Sequence, residues 1–75
     1  MTYEVWMEGY CATGQSATHE FIGKEEANNF KKACKIAMRK WASKEDYETY
    51  YDEDNMTFWG CRLFDNESDA ARGFG

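Results

Sequence analysis

The sequence predicts an α+β fold in the order β-β-α-(α)-β-α, with a three-stranded antiparallel sheet, one long helix packed on one face and a short C-terminal helix. Three observations predict it. Apolar and polar residues alternate near both ends of the chain, an apolar stripe with helical spacing occupies the middle, and capping signals follow the last strand. Since both ends are patterned, residues 1–75 are expected to form a single domain.

The first two strands are expected to form a hairpin. Residues 3–12 alternate between apolar and polar positions, as a half-buried strand does. Residues 17–22 alternate again, and Gly14 lies in the turn between the two runs. Gly23 is expected to end the second strand.

A long amphipathic helix is expected over residues 24–42. Its apolar residues recur every three or four positions, and they are Ala27, Phe30, Cys34, Ala37 and Trp41. Glu25 and Glu26 fall in the first turn of this predicted helix, and Arg39 and Lys40 fall in its last turn, as the helix dipole favours.

A short helix is expected to follow the long one. Residues 43–46 resemble a capping box, which predicts a helical segment through residues 47–51. Residues 52–55 are all polar and are expected to form a solvated turn.

The third strand is expected over residues 56–64 and leads into the terminal helix. Its alternation assigns Trp59, Cys61 and Leu63 to one face and Phe58, Arg62 and Phe64 to the other. Asp65 or Asn66 is expected to cap the helix, and Gly73 followed by Phe74 is expected to end it.

One face of this predicted sheet has no long helix on it. Trp6, Tyr10, Phe58 and Phe64 are expected to point to that face. Either the terminal helix or the tyrosine-rich segment covers these rings, or they form an exposed aromatic patch that binds a partner.

The charges of the chain are unevenly distributed. The formal net charge is −5, yet seven of the nine basic residues lie between Lys24 and Lys44. Six acids and no base lie between Glu45 and Asp54. Such a separation favours contacts with charged partners more than the net charge alone does.

No catalytic, metal-binding or cofactor-binding group is predicted. Cys11, Cys34 and Cys61 are widely spaced without a CxxC pair, and His19 is the single histidine. Cys34 and Cys61 lie on apolar faces and are expected to be buried, while Cys11 and His19 lack the signature of a thiol enzyme. Free cysteines, and the lack of a signal-peptide pattern or a long apolar segment, favour a cytoplasmic protein that does not contact membranes.

The acidic and aromatic stretch over residues 45–54 is the first candidate binding site. Carboxylates spaced among rings suit a basic protein surface. The residues expected to contact the partner are Tyr47, Tyr50, Tyr51, Asp52, Glu53 and Asp54, with Trp6 and Tyr10 second. The alternative is a solvated connection whose tyrosines fold back onto the core.

The basic face of the long helix is the alternative site. Lys31, Lys35 and Arg39 form one row at i, i+4 spacing, which is suited to contacts with nucleic-acid phosphates. The acidic net charge argues against nucleic acid as the partner. The row is otherwise an exposed face, neutralised by the acidic stretch of the same molecule or of a second copy in a homodimer.

Two segments of the sequence resemble those of other proteins. They are Tyr3-Glu4-Val5-Trp6-Met7-Glu8-Gly9-Tyr10 and Phe58-Trp59-Gly60-Cys61-Arg62-Leu63-Phe64-Asp65-Asn66-Glu67, with a looser likeness over Phe30 to Cys34. In these runs the chain resembles a group of small proteins from bacteriophages and Firmicutes mobile elements, to which no activity is attached.

The resemblance implies an accessory protein made in the cytoplasm of an infected or lysogenic bacterial host. Together with the segregated charge and the surplus of aromatic residues, it leads to the expectation of non-catalytic binding to a host protein with a basic surface. Inhibition of a host enzyme or defence system is the kind of role expected of such a protein.

Overall fold

The computed structural model describes residues 1–12, 15–17 and 19–73, with the side chains of residues 1–9 and 19–72. In chain order its elements are β1 (Thr2–Met7), β2 (Tyr10–Ala12), β3 (Gln15–Ala17), β4 (Glu20–Glu26), α1 (Phe30–Trp41), α2 (Lys44–Tyr50), β5 (Tyr51–Asp52), β6 (Thr57–Phe58), β7 (Cys61–Phe64) and α3 (Glu67–Gly73). The predicted turn at Gly14 and the terminal contact of Phe74 lie outside the described residues.

The α+β class is confirmed, but the predicted three-stranded sheet with one long helix is wrong. The main sheet has five antiparallel strands in the order β4-β1-β7-β6-β5, and the described chain has three helices. β1 pairs with β4 on one side and with β7 on the other, while β2 and β3 form a separate ribbon. The extra strands arise because the predicted third strand is a hairpin and because β5 pairs with the first strand of that hairpin.

The hairpin of β6 and β7 turns at Trp59 and Gly60. Their φ angles are 56° and 79°, and Phe58 pairs with Cys61 across the two-residue loop. Two central residues with positive φ define a type I′ turn, whose twist suits an antiparallel hairpin. Because paired residues share a face of a sheet, Phe58 joins Cys61 in the core. The predicted assignment of Phe58 to the opposite face is therefore wrong.

The second strand extends past Gly23 and replaces the predicted start of the helix. Residues 24–26 of β4 pair with residues 2–4 of β1. α1 begins only at Phe30, where the side chain of Asn29 accepts a hydrogen bond of 2.9 Å from the Lys32 backbone N–H. The basic last turn of α1 is confirmed.

A β-bulge at Ile22 sets which side chains of β4 face the core. Val5 pairs with Gly23 and Trp6 pairs with Phe21, which leaves Ile22 as the extra residue. Ile22 is buried in the core, whereas Phe21 is 46% exposed and packs edge-on against Trp6 at 4.9 Å between ring centroids. The bulge therefore interrupts the alternation expected of residues 17–22.

The core lies between α1 and one face of the sheet. The buried residues of α1 are Ala33, Cys34, Ala37 and Met38, and the sheet contributes Val5, Met7, Ile22, Phe58, Cys61 and Leu63. Helix and sheet approach closely at Gly23, where an added Cβ would lie 3.5 Å from the Ala37 Cβ. The apolar residues of the predicted long helix therefore pack against the sheet from Phe30 onwards.

The two ends of the chain are joined by Glu8, which is 2% exposed. Its Oε2 accepts hydrogen bonds from the Arg62 backbone N–H at 2.6 Å and from Arg62 Nε at 3.1 Å, and its Oε1 accepts from Nη2 at 3.1 Å. The Glu8 backbone N–H donates to the Arg62 carbonyl at 3.0 Å. The hydrogen bonds between Glu8 and Arg62 therefore join the end of β1 to β7.

The terminal helix α3 packs against β7 and β1 and buries Ala70 completely. Asn66 is its N-cap, since its Oδ1 accepts a 2.8 Å hydrogen bond from the Asp69 backbone N–H. His19 Nε2 lies 2.9 Å from Glu67 Oε2 and links α3 to the start of β4. The predicted capping by Asp65 or Asn66 is thus confirmed for Asn66.

Candidate protein-binding surface

The structure divides the predicted acidic and aromatic stretch among several environments. Tyr47 of α2 and Tyr51 of β5 stack with ring centroids 5.1 Å apart, and both pack against the core. Tyr50 points to another cluster and is 36% exposed. The six residues expected to act together are therefore not brought onto one surface.

Two acids of this stretch pair with the basic row of α1. Lys31 Nζ lies 3.5 Å from Asp54 Oδ1, and Lys35 Nζ lies 3.3 Å from Glu53 Oε1. These pairs are solvent-exposed, so each is expected to contribute at most about 1 kcal/mol to stability. The neutralisation of the row by the same molecule, one of the alternatives raised by the sequence, is the arrangement that the structure shows.

Asp52 shapes the turn between β5 and β6. Its Oδ1 accepts a 3.2 Å hydrogen bond from the Asn55 backbone N–H, and its Oδ2 accepts a 2.8 Å bond from Asn55 Nδ2. These two hydrogen bonds lower the pKa of the Asp52 carboxyl. Asp52 therefore has a local structural role as an Asx-turn residue.

Arg39, the third member of the basic row, lies over the Tyr47 ring. Its Cζ is 5.8 Å from the ring centroid, a cation–π distance. Arg39, Lys44, Tyr47 and Glu48 line an open groove of about 290 Å³. The row expected to contact nucleic acid therefore has two ion-paired lysines and one arginine held on a ring.

A continuous row of four rings forms the aromatic ridge, which we define as Trp41, Phe58, Tyr50 and Trp59. The Trp41 and Phe58 centroids are 5.6 Å apart, and those of Phe58 and Tyr50 are 6.2 Å apart, both edge-to-face. Tyr50 and Trp59 are stacked at 4.0 Å. Phe58 is the buried member of the ridge, whereas Trp41 is 38% exposed and Trp59 is 66% exposed.

Trp59 occupies a backbone position that does not suit tryptophan. Positive φ at the first central position of a type I′ turn favours Asn, Asp or Gly and costs about 1–2 kcal/mol for other residues. The side chain lies at the tip of the hairpin, outside the core. The sequence signal was Gly60 in the middle of an apparent strand, which marks a turn or a bulge.

A carboxylate contacts the Trp41 end of the ridge. Glu20 Oε2 accepts a 3.1 Å hydrogen bond from Trp41 Nε1. Asp46 lies four residues before Tyr50 on α2, so the two side chains share one face of that helix. In the part of the chain with described side chains, Glu20 and Asp46 form no ion pair.

Trp6, one of the two secondary candidates, is not part of the ridge. Trp6 is half-buried on the sheet face away from α1, packs on Phe21, and donates a 2.8 Å hydrogen bond from Nε1 to Glu4 Oε1. The backbone of Tyr10 begins β2, and its side chain lies outside the described residues. Of the other residues predicted for this face, Phe58 lies in the core and Phe64 pairs with Trp6 across β1 and β7.

The described cysteines are buried and protonated at neutral pH. Burial, and to a lesser extent Asp65, raises the pKa of the Cys34 thiol to about 12. Burial, followed by the nearby Glu8, raises the pKa of Cys61. Neither thiol has the lowered pKa of a nucleophile. The side chain of Cys11 lies outside the described residues.

The described residues contain no group of three or more His, Cys, Asp or Glu side chains placed to hold a metal ion. Within the same residues, each helix is too short or too polar to cross a bilayer. A scan against protein-family models, a search of curated proteins and a search of solved structures each returned no match to this chain.

Proposed function

We propose that this protein is a non-catalytic binding module that holds a partner protein against the aromatic ridge. The observation that carries the proposal is Trp59, which is 66% exposed at a turn position where a tryptophan is unfavourable. A strained backbone position that carries a solvent-exposed side chain is a reason to expect a function at that residue.

The residue types of the ridge support a protein partner. Tryptophan and tyrosine are enriched among the residues that dominate binding energy at protein interfaces. Tyr50 stacks on Trp59, and stacking restricts the side-chain freedom that binding would otherwise remove. Phe58 anchors the ridge in the core.

The charge of the protein supports a partner with a basic surface. The formal net charge is −5, and in the described residues the carboxylates of α2 are not paired with cations. Opposite charges would accelerate association. Following the resemblance to phage and mobile-element proteins, we propose a bacterial host enzyme or defence protein as the target.

The test compares the wild type with matched variants in capture from bacterial lysate, followed by titration with the purified partner. Trp59→Asn removes the ring while keeping a residue that tolerates the turn. Phe21→Asn removes an exposed ring from the other sheet face and serves as the control. We expect the Trp59 variant to lose the partner and the Phe21 variant to retain it. Equal affinity of a folded Trp59→Asn variant would refute the proposed site.

A further inference from the structure

We infer that the aromatic ridge recognises an arginine side chain of the partner, with the guanidinium on the open face of Trp59 and beside the Asp46 carboxylate. This inference rests on the proposed function and specifies its chemistry. Two observations carry it: an exposed indole is stacked on Tyr50, and the unpaired carboxylate of Asp46 lies one helical turn before Tyr50 on the same face of α2.

The Trp59 ring has one face available for a ligand. Its other face lies against Tyr50 at 4.0 Å with an interplanar angle of 25°, and the side chain remains 66% exposed. Tryptophan is the best aromatic partner for a cation, and guanidinium groups stack on aromatic faces. The open face is therefore a platform suited to a planar cation.

The helix that carries Tyr50 also carries unpaired carboxylates. Within residues 45–54, Glu53 and Asp54 are paired with lysines, and Asp52 is hydrogen-bonded to Asn55. The other three carboxylates of this stretch, Glu45, Asp46 and Glu48, all lie on α2 and form no ion pair among the described residues. A partner that buried them without supplying positive charge would incur their desolvation cost.

Arginine fits this arrangement better than lysine or an apolar residue. Its planar group is weakly hydrated, and it can stack on a ring while donating to a carboxylate. The same combination occurs within this molecule, where Arg62 Cζ lies 5.3 Å from the Phe64 ring centroid while Nε and Nη2 donate to Glu8. A lysine ammonium group would neutralise the carboxylate, but it is not planar and would not stack on the ring.

The experiment uses blocked Gly-Arg-Gly tripeptide as the probe and follows the indole N–H signals of the ¹⁵N-labelled full chain by NMR. Gly-citrulline-Gly is a neutral isostere, and Gly-Lys-Gly keeps the charge. We expect saturable shifts of the Trp59 indole with dissociation constants on the order of millimolar for arginine. Lysine is expected to bind at least about threefold more weakly. Citrulline is expected to give no saturation.

Matched charge variants locate the carboxylate. Asp46→Asn is expected to weaken arginine binding about threefold, as loss of an exposed ion pair would. Glu26→Gln changes the net charge equally on exposed β4, where Glu26 forms no ion pair among the described residues, and is expected to have no effect.

Two outcomes would overturn the inference, namely equal shifts with citrulline and arginine, or equal weakening by the Asp46 and Glu26 variants. Either outcome leaves the proposed function intact if Trp59→Asn still abolishes capture of the partner. Retention of the partner by Trp59→Asn would instead refute the proposed function itself.

Discussion

Trp59 illustrates how backbone and side-chain preferences compete at a single residue. The turn requires positive φ at residues 59 and 60, which glycine satisfies at Gly60 without cost. At Trp59 the backbone cost is offset by stacking on Tyr50, which contributes about 0.5–1.5 kcal/mol in typical aromatic pairs. The two contributions are of similar size, so folding alone gives little reason for this tryptophan.

Replacing Trp59 therefore has an effect that depends on the new residue. Trp59→Asn removes the stacking but relieves the turn, and its free energy of unfolding is expected to stay within about 1 kcal/mol of the wild type. Trp59→Ala removes the stacking but keeps the backbone cost of positive φ at residue 59. It should therefore be less stable than Trp59→Asn by about 1 kcal/mol. Urea denaturation of the three proteins measures the order, and an alanine variant as stable as the asparagine variant would contradict it.

The Cys34 thiol makes stability depend on pH in the alkaline range. Its pKa rises from 9.0 to about 12 on burial, so the folded chain holds the proton more tightly than the unfolded chain. This contribution is complete below about pH 9 and is lost as the pH rises from there through the folded pKa of about 12.

We therefore expect the free energy of unfolding to fall above pH 9, and to fall less steeply in a Cys34→Ala variant. Denaturant unfolding at pH 7, 9 and 10.5 would show this, with the difference between the two proteins isolating Cys34 from other alkaline groups. Parallel pH profiles for wild type and variant would contradict the assignment.

The helices and the sheet follow different rules at the scale of elements. Helix ends depend on residues close in sequence, and the caps at Ser43 and Asn66 were readable from the chain. The extent of β4 depends on residues 2–4 across the sheet, so its continuation through Glu26 could not be read from β4 alone. The turn at Trp59 was hidden because its residue is not typical of a turn.

Gly23 in β4 and Gly60 in the hairpin turn are expected to respond oppositely to alanine. At Gly23 a Cβ would make ordinary contact with Ala37 at 3.5 Å, and the backbone is not left-handed. Gly23→Ala should therefore raise the free energy of unfolding by about 0.4–1 kcal/mol. Gly60 has a φ of 79°, so Gly60→Ala should lower it by about 1 kcal/mol. Thermal unfolding compares the two, and a destabilised Gly23→Ala would contradict the packing described for α1.

The ion pairs between α1 and the turn before β6 are expected to limit binding of nucleic acid more than they stabilise the fold. In the double variant Glu53→Gln and Asp54→Asn, Lys31 and Lys35 lose their partners. The free energy of unfolding should change by less than about 1 kcal/mol for each pair lost. Retardation of labelled single-stranded DNA at low salt should increase relative to the wild type. Unchanged retardation would show that the row does not contact phosphates.

The sheet brings the two ends of the chain together at the scale of the whole molecule. Glu8 and Arg62 are 54 residues apart in sequence, and their hydrogen bonds join β1 to β7. The aromatic ridge is assembled in the same way from α1, α2 and the hairpin. The sequence indicated an aromatic surplus and an acidic stretch, but which rings meet depends on these distant contacts.

Loss of the hydrogen bonds between Glu8 and Arg62 is expected to lower the stability of the whole domain. A 75-residue chain has a total stability of about 4–11 kcal/mol. Glu8→Ala leaves the Arg62 backbone N–H without its side-chain acceptor and opens space in the interior, so we expect a loss of about 2–4 kcal/mol. Glu26→Ala, at an exposed carboxylate, is the control and should change stability by less than about 0.5 kcal/mol. A loss equal to that of the control, in denaturant titration, would exclude a structural role for Glu8.

The bulge at Ile22 also protects the open edge of the sheet from aggregation. β4 is an outer strand, so one row of its backbone N–H and C=O groups is available to pair with another chain. The bulge breaks the regular spacing of that row, and Lys24, Glu25 and Glu26 place charges along it. The irregularity that buries Ile22 therefore also makes β4 a poor template for growth of a continuous sheet between molecules.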